Sequence, residues 1–121
     1  MGRPVHVLAI FQAKPGTERD AEAMLHGLIE PTHGEEGCVS YILQRRTDRP
    51  GTFYFVEKWR SAADFRKHIA SPHLAAVMAR KDELFALVDV AFVSPVAGGN
   101  PAKAQYDSLH SHDHAAEEIS D

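Results

Sequence analysis

Phe53, Phe55, Glu57 and Trp59 recur at a spacing of two, so in an extended strand they share one face. Three aromatic rings around one carboxyl group form an apolar wall with a single polar handle, which suits a flat aromatic ligand. The same residues serve equally as core, with Glu57 paired to a nearby Arg or His. His68 follows Phe65 by three and precedes Ile69, so helical spacing turns its imidazole toward the interior. There, a ring that titrates near neutrality can accept a phenolic proton, unless it is a hydrogen-bonded core histidine. His73, just past Pro72, is placed to organise a helix junction through hydrogen bonds. Tyr41 shares a strand face with Val39 and Leu43, and its hydroxyl either reaches this interior or ends at the sheet edge. Cys38, the single cysteine, has no sequence-adjacent cation to lower its pKa and reads as a small buried hydrophobe.

These side chains need a sheet and helices to position them. Val5 to Ala13 alternates between two largely apolar faces, the pattern of a strand covered on both sides. Pro15-Gly16 turns the chain, and Thr17 with Asp20 predicts a capped helix start. Ala21, Met24, Leu25, Leu28 and Ile29 then form one apolar stripe, closed by Pro31 and Gly34. Cys38 to Arg46 and Thr52 to Trp59 read as an antiparallel hairpin around the Asp48-Arg49-Pro50-Gly51 turn. Ser61 with Asp64 caps a further helix, and Pro72 opens another after a break at Ser71. In that last helix the stripe continues through Leu74, Val77, Met78, Leu84, Phe85 and Val88, and a final strand is expected from about Val88 to Val96. The order is βαββααβ, a split βαβ pattern with an antiparallel four-stranded sheet. The second sheet face carries Leu8, Ile10, Ile42, Tyr54 and Val56, more apolar surface than a monomer leaves wet, which predicts a homodimer.

With 121 residues, the chain fits one domain, over 1–97, followed by a tail over 98–121. The tail accounts for the formal charge of −4, so the rest is formally neutral and has no long-range attraction for nucleic acid or an anionic membrane. One cysteine, no apolar signal segment and no membrane-length apolar run are the pattern of a soluble cytoplasmic protein. The tail's His110-x-His112-x-His114, among Asp107, Asp113 and Glu117, can bind zinc, nickel or copper weakly. Its low apolar content reads as solvated chain, and no catalytic metal is expected. The sequence holds no Gly-rich nucleotide or flavin fingerprint, no phosphate-binding P-loop, no H-E-x-x-H and no G-x-S-x-G.

The ordered string Glu35-Glu36-Gly37-Cys38, Tyr41, Phe53-x-Phe55-x-Glu57-x-Trp59-x-Ser61 and Phe65-x-x-His68-x-x-Ser71-Pro72-His73 resembles the antibiotic biosynthesis monooxygenase superfamily, specifically its small quinol-monooxygenase-like members. The resemblance runs from about Val5 to about Val96. It implies a ferredoxin-like α+β fold that pairs into a dimeric α+β barrel. It also implies oxidation of electron-rich aromatic substrates by dioxygen with no flavin, metal or other cofactor. The haem-degrading branch of the superfamily uses an Asn on the first strand and a Trp and a His on later helices. Ala9, His68 and Met78 stand at those places here and speak against haem degradation.

Taken together, these observations predict a cofactor-independent monooxygenase acting on a quinol, anthrone or similar polyphenol. His68 is the candidate base, assisted by Glu57 or Tyr41. Phe11, Phe53, Phe55, Trp59, His73 and Phe92 are the candidate substrate-binding residues. Two alternatives stand beside it. One is an isomerase of a small phosphorylated dione, with Arg45, Arg46 or Arg66 as phosphate anchor. The other is a dimeric ligand-binding or stress-associated module without catalysis.

Overall fold

A computed structural model describes residues 2–104. The chain runs β1 (Val5–Ala13), α1 (Glu18–His26), α2 (Ile29–His33), β2 (Cys38–Arg45), β3 (Thr52–Trp59), α3 (Ala62–Ile69), α4 (Pro72–Met78), α5 (Lys81–Leu84) and β4 (Phe85–Val93). The four strands form one open antiparallel sheet in the order β2-β3-β1-β4, an α+β ferredoxin-like arrangement. Among the described residues no helix is long and apolar enough to cross a membrane.

Alternation along the strands divides the sheet into two faces. Val7, Ala9, Phe11, Tyr41, Phe53, Phe55 and Trp59 are buried on one of them, joined by Ala21, Leu25, Leu28, Phe65, Leu74, Val77 and Leu84 from the helices. The other face carries Leu8, Ile10, Ile42, Tyr54 and Val56, all at least partly exposed, with Ile42 at 50% and Leu87 at 47%.

Ser61 and Pro72 behave as the sequence predicts. The Ser61 hydroxyl accepts the Asp64 backbone N–H at 3.1 Å and donates to Asp64 Oδ2 at 2.9 Å, while Pro72 opens α4 behind a Ser71 cap. Thr17 does not cap α1. Its hydroxyl donates to the carbonyls of Lys14 and Leu84, tying the end of β1 to the end of α5. The first helix also ends earlier than its apolar stripe suggests, at Gly27. Pro31 lies inside α2 near its start, where the missing N–H costs no helical bond.

The last strand differs most from expectation, starting at Phe85 and ending at Val93 instead of spanning Val88 to Val96. Its start is set by pairing, because β1 extends to Ala13 and offers a ladder that Phe85, Leu87 and Val88 complete across an irregularity at Gln12/Ala13. A stripe that fits a helix by periodicity alone is overridden there by available strand hydrogen bonds. The tail histidines and acidic residues from Asp107 onward lie outside the described residues.

Candidate active site

Three helix and loop ends meet above the Trp59 end of β3. Glu35 lies in the turn between α2 and β2, His68 in the last turn of α3 and His73 in the first turn of α4. In one unbroken helix, residues five apart would point about 140° away from each other. The break at Ala70-Ser71 brings both imidazoles onto one carboxylate instead. Glu35 Oε2 lies 2.7 Å from His68 Nδ1 and 2.7 Å from His73 Nε2. A carboxylate only accepts, so the nitrogens facing it carry the hydrogens and donate. His68 is thereby held as the Nδ1–H tautomer with its Nε2 lone pair available.

His68 is 2% exposed and clasped between rings. Its ring centroid lies 4.7 Å from that of Trp59, at a 33° tilt, and 5.4 Å from that of Tyr41, edge to face. Phe65 adds a third aromatic neighbour. Burial lowers the imidazole pKa below its ordinary value, with the Glu35 hydrogen bond opposing that shift. The ring is therefore neutral at neutral pH and can accept a proton.

Below it, Glu57 and Tyr41 are direct cross-strand partners on the helix-covered face. A one-residue irregularity falls between Cys38 and Ser40, so Val39 is pushed out to 56% exposure and does not share Tyr41's face. Because the irregularity precedes Ser40, the Tyr41–Glu57 register is unaffected. Glu57, 4% exposed, accepts the Trp59 indole N–H at 2.8 Å. Desolvation pushes its carboxyl up to about 7, against the lowering effect of the indole and with a smaller upward push from the Glu35 charge. Burial, followed by the Glu57 charge, raises the Tyr41 phenol well above its ordinary value. Tyr41 is therefore a neutral hydrogen-bond donor throughout the physiological range and is no base. Its ring stacks on Phe55 at 4.5 Å, and its backbone carbonyl accepts the His33 ring N–H. Burial drives the Cys38 thiol up to about 11, in line with an inert residue.

The predicted residues thus divide into two groups. His68 and His73 meet on Glu35, Trp59 and Tyr41 lie against the His68 ring, and Glu57 and Phe55 join them through Trp59 and Tyr41. Phe11 and Phe53 pair with each other across β1 and β3 six positions along the ladder from Trp59, and Phe11 packs edge-on against Phe85 and Phe55. The fold does not bring Phe11 or Phe53 to His68. Phe92 is 63% exposed on β4, where its ring meets Phe65 edge to face at 5.4 Å, so Phe65 links it to the histidine. Sequence reasoning missed Glu35 and Phe65 as members of the site. The one signal for Glu35 was its place at the head of the Glu-Glu-Gly-Cys string.

Glu35, His68 and His73 also form the one group of three metal-ligating side chains among the described residues, their donor atoms all within 4.8 Å of one another. A separate cavity of about 1110 Å³ opens beside the start of α3, lined in part by Arg3, Lys58, Arg60 and Arg66. The arginines considered as phosphate anchors are spread out. Arg45 pairs with Glu22 and Arg46 with Asp48, while Arg66 lines that separate cavity.

The fold belongs to a known class. The antibiotic biosynthesis monooxygenase family matches residues 4–80, and the chain belongs to that family. It is 36% identical over 84 residues to the protein named "Putative monooxygenase Rv0793" of Mycobacterium tuberculosis, an alignment covering 69% of this chain and 82% of that one. The solved structure of Rv0793 superposes with a TM-score of 0.71 at 33% identity, covering 80% of this chain and 99% of that one. The crystal structure of PA3566 from Pseudomonas aeruginosa superposes with a TM-score of 0.75 at 27% identity, covering 80% and 98%.

Proposed function

We propose that this chain is a monooxygenase that oxidises a quinol, anthrone or related polyphenol with dioxygen, drawing the electrons from the substrate and requiring neither flavin nor metal. One observation carries the reading. Glu35 Oε2 holds His68 Nδ1 at 2.7 Å in a nest of Trp59, Tyr41 and Phe65, an arrangement that makes Nε2 the proton-accepting nitrogen of the ring.

In this mechanism, Nε2 takes the acidic proton of the substrate and Glu35 stabilises the imidazolium that forms. The substrate anion passes one electron to dioxygen, giving a substrate radical and superoxide. Their recombination forms a carbon–oxygen bond, and the peroxide takes up a proton. Its O–O bond then breaks as the same carbon loses its remaining hydrogen as a proton. A carbonyl and one water result, so one oxygen atom stays on the product and the other leaves as water. The Tyr41 hydroxyl, neutral and donating, and the Glu57 carboxyl, protonated below about pH 7, are the groups suited to hydrogen-bond the developing oxyanion. The surrounding rings keep the radical pair away from water.

The working unit in this reading is a homodimer, because the open sheet face leaves Leu8, Ile10, Ile42, Tyr54 and Val56 without cover from the helices of the described residues. Oxygen uptake with menadiol or an anthrone, corrected for autoxidation, tests the proposal. A rate no higher than the protein-free control would reject it. A rate that survives His68→Ala would keep the oxygenase and dismiss His68 as its base.

A further inference from the structure

We propose that Glu35, His68 and His73 form a binding site for a divalent first-row transition cation, and that filling the site locks His68 in the tautomer that cannot act as a base. The three donor atoms arrive from three separate segments, so chain connectivity alone does not explain their meeting. Two imidazole nitrogens and one carboxylate oxygen are a donor set that suits zinc, iron(II) or cobalt(II) and gives a magnesium or calcium ion too few oxygens.

The geometry needs two adjustments. Ligand atoms around a tetrahedral zinc stand roughly 3.4 Å apart, given bonds of about 2.1 Å. Glu35 Oε2 is now 2.7 Å from each ring nitrogen, so the carboxylate has to withdraw by less than about 1 Å to admit an ion. The two ring nitrogens lie within 4.8 Å of each other, so His73, the more exposed ring, has to approach His68 by up to about 1.4 Å. Glu35 sits in a turn and its side chain is 17% exposed, as is His73's at 21%, which provides both the freedom to withdraw and a route of entry. His68 is already held by the Trp59 and Tyr41 rings, so its orientation costs nothing further on binding.

The consequence follows from the two nitrogens of one ring. Without metal, Nδ1 carries the hydrogen toward Glu35 and Nε2 holds the lone pair. A metal on Nδ1 takes the place of that hydrogen, and the neutral ring must then carry its hydrogen on Nε2. Metal occupancy and proton acceptance at Nε2 exclude each other, so a bound cation inhibits the reaction. The inhibition, though not the binding, rests on the oxygenase reading.

The test uses the full chain with His110→Asn, His112→Asn and His114→Asn, because the tail imidazoles can hold cations themselves. Cobalt(II) should bind one ion per chain with a visible absorption band that zinc bleaches. His73→Asn and Glu35→Gln, each checked for folding by circular dichroism, should weaken binding at least about tenfold. Nitrogen-15 spectra of the His68 ring should show the hydrogen on Nδ1 before zinc and on Nε2 after it. No visible band, or affinity unchanged in His73→Asn, would overturn the site. A ring that keeps its Nδ1 hydrogen with zinc bound would overturn the tautomer lock. Zinc should also suppress oxygen uptake, with recovery on adding chelator. Loss of the oxygenase reading alone would leave the cobalt and nitrogen-15 results standing.

Discussion

Glu35 and His68 are separated by 33 positions in the chain, yet Glu35 Oε2 and His68 Nδ1 stand 2.7 Å apart at the meeting point of a loop and a helix end. In the proposed reaction the contact has two roles for the imidazole. It chooses the tautomer, and it supplies the negative charge that an imidazolium would need during proton transfer.

His68→Ala is expected to lower kcat/KM for an oxidisable polyphenol by about 10²- to 10⁴-fold, the usual contribution of a positioned general base. Glu35→Gln keeps the shape but removes the charge, and a loss of about 10- to 100-fold is expected. Oxygen-electrode rates for both variants give the comparison. A Glu35→Gln enzyme as active as the parent would show that the dyad has no catalytic role.

Glu57 makes stability fall as pH rises. Its carboxyl ionises near 4.5 in the unfolded chain and near 7 when folded, so between those values the folded state holds the extra proton. Its contribution is fully favourable below pH 4.5, declines through the window up to about 7 and is flat above it. The full span is at most about 3 kcal/mol. Glu57→Gln keeps an acceptor for the Trp59 indole and removes the titration. Urea unfolding of parent and variant at pH 5 and pH 8 should show the variant gaining relative stability at the higher pH. Equal differences at both would refute the assignment.

Gly37 is needed for close packing. A Cβ built there would lie 2.3 Å from Asp64 Cβ, while the Gly37 carbonyl accepts the Arg60 backbone N–H at 2.8 Å. Asp64 cannot easily yield, since Ser61 and Arg60 both hold it. Gly37→Ala is expected to cost about 1–3 kcal/mol as overpacking. It should also disturb Glu35 two residues away. Thermal unfolding measures the first effect, and the His68 ring spectrum the second.

The open sheet face should fail as an interface when charged. Val56→Asp places a carboxylate at the middle of β3 on that face, opposite Leu8 and Ile42. Sedimentation velocity is expected to show a dimer for the parent chain and a monomer for the variant. A parent that sediments as a monomer would remove the dimer from the proposal.

Strand and cap chemistry was readable because it is local. The limits of β1 and β3, the shared face of Phe53, Phe55, Glu57 and Trp59, the Ser61 cap and the Pro72 start all follow from period-two alternation or from a few neighbouring side chains. The inward turn of His68 followed from helical spacing in the same way. What the residues alone could not settle depended on partners far along the chain. β4 begins at Phe85 because β1 offers hydrogen bonds there, and Val39 leaves Tyr41's face because the β2–β3 ladder slips by one residue. Glu35 joins His68 and His73 only when a helix break and a loop close on the same point. Periodicity reports which way a side chain faces from its own backbone. Which charge waits opposite it is decided by packing between distant segments, and that exists only in the folded chain.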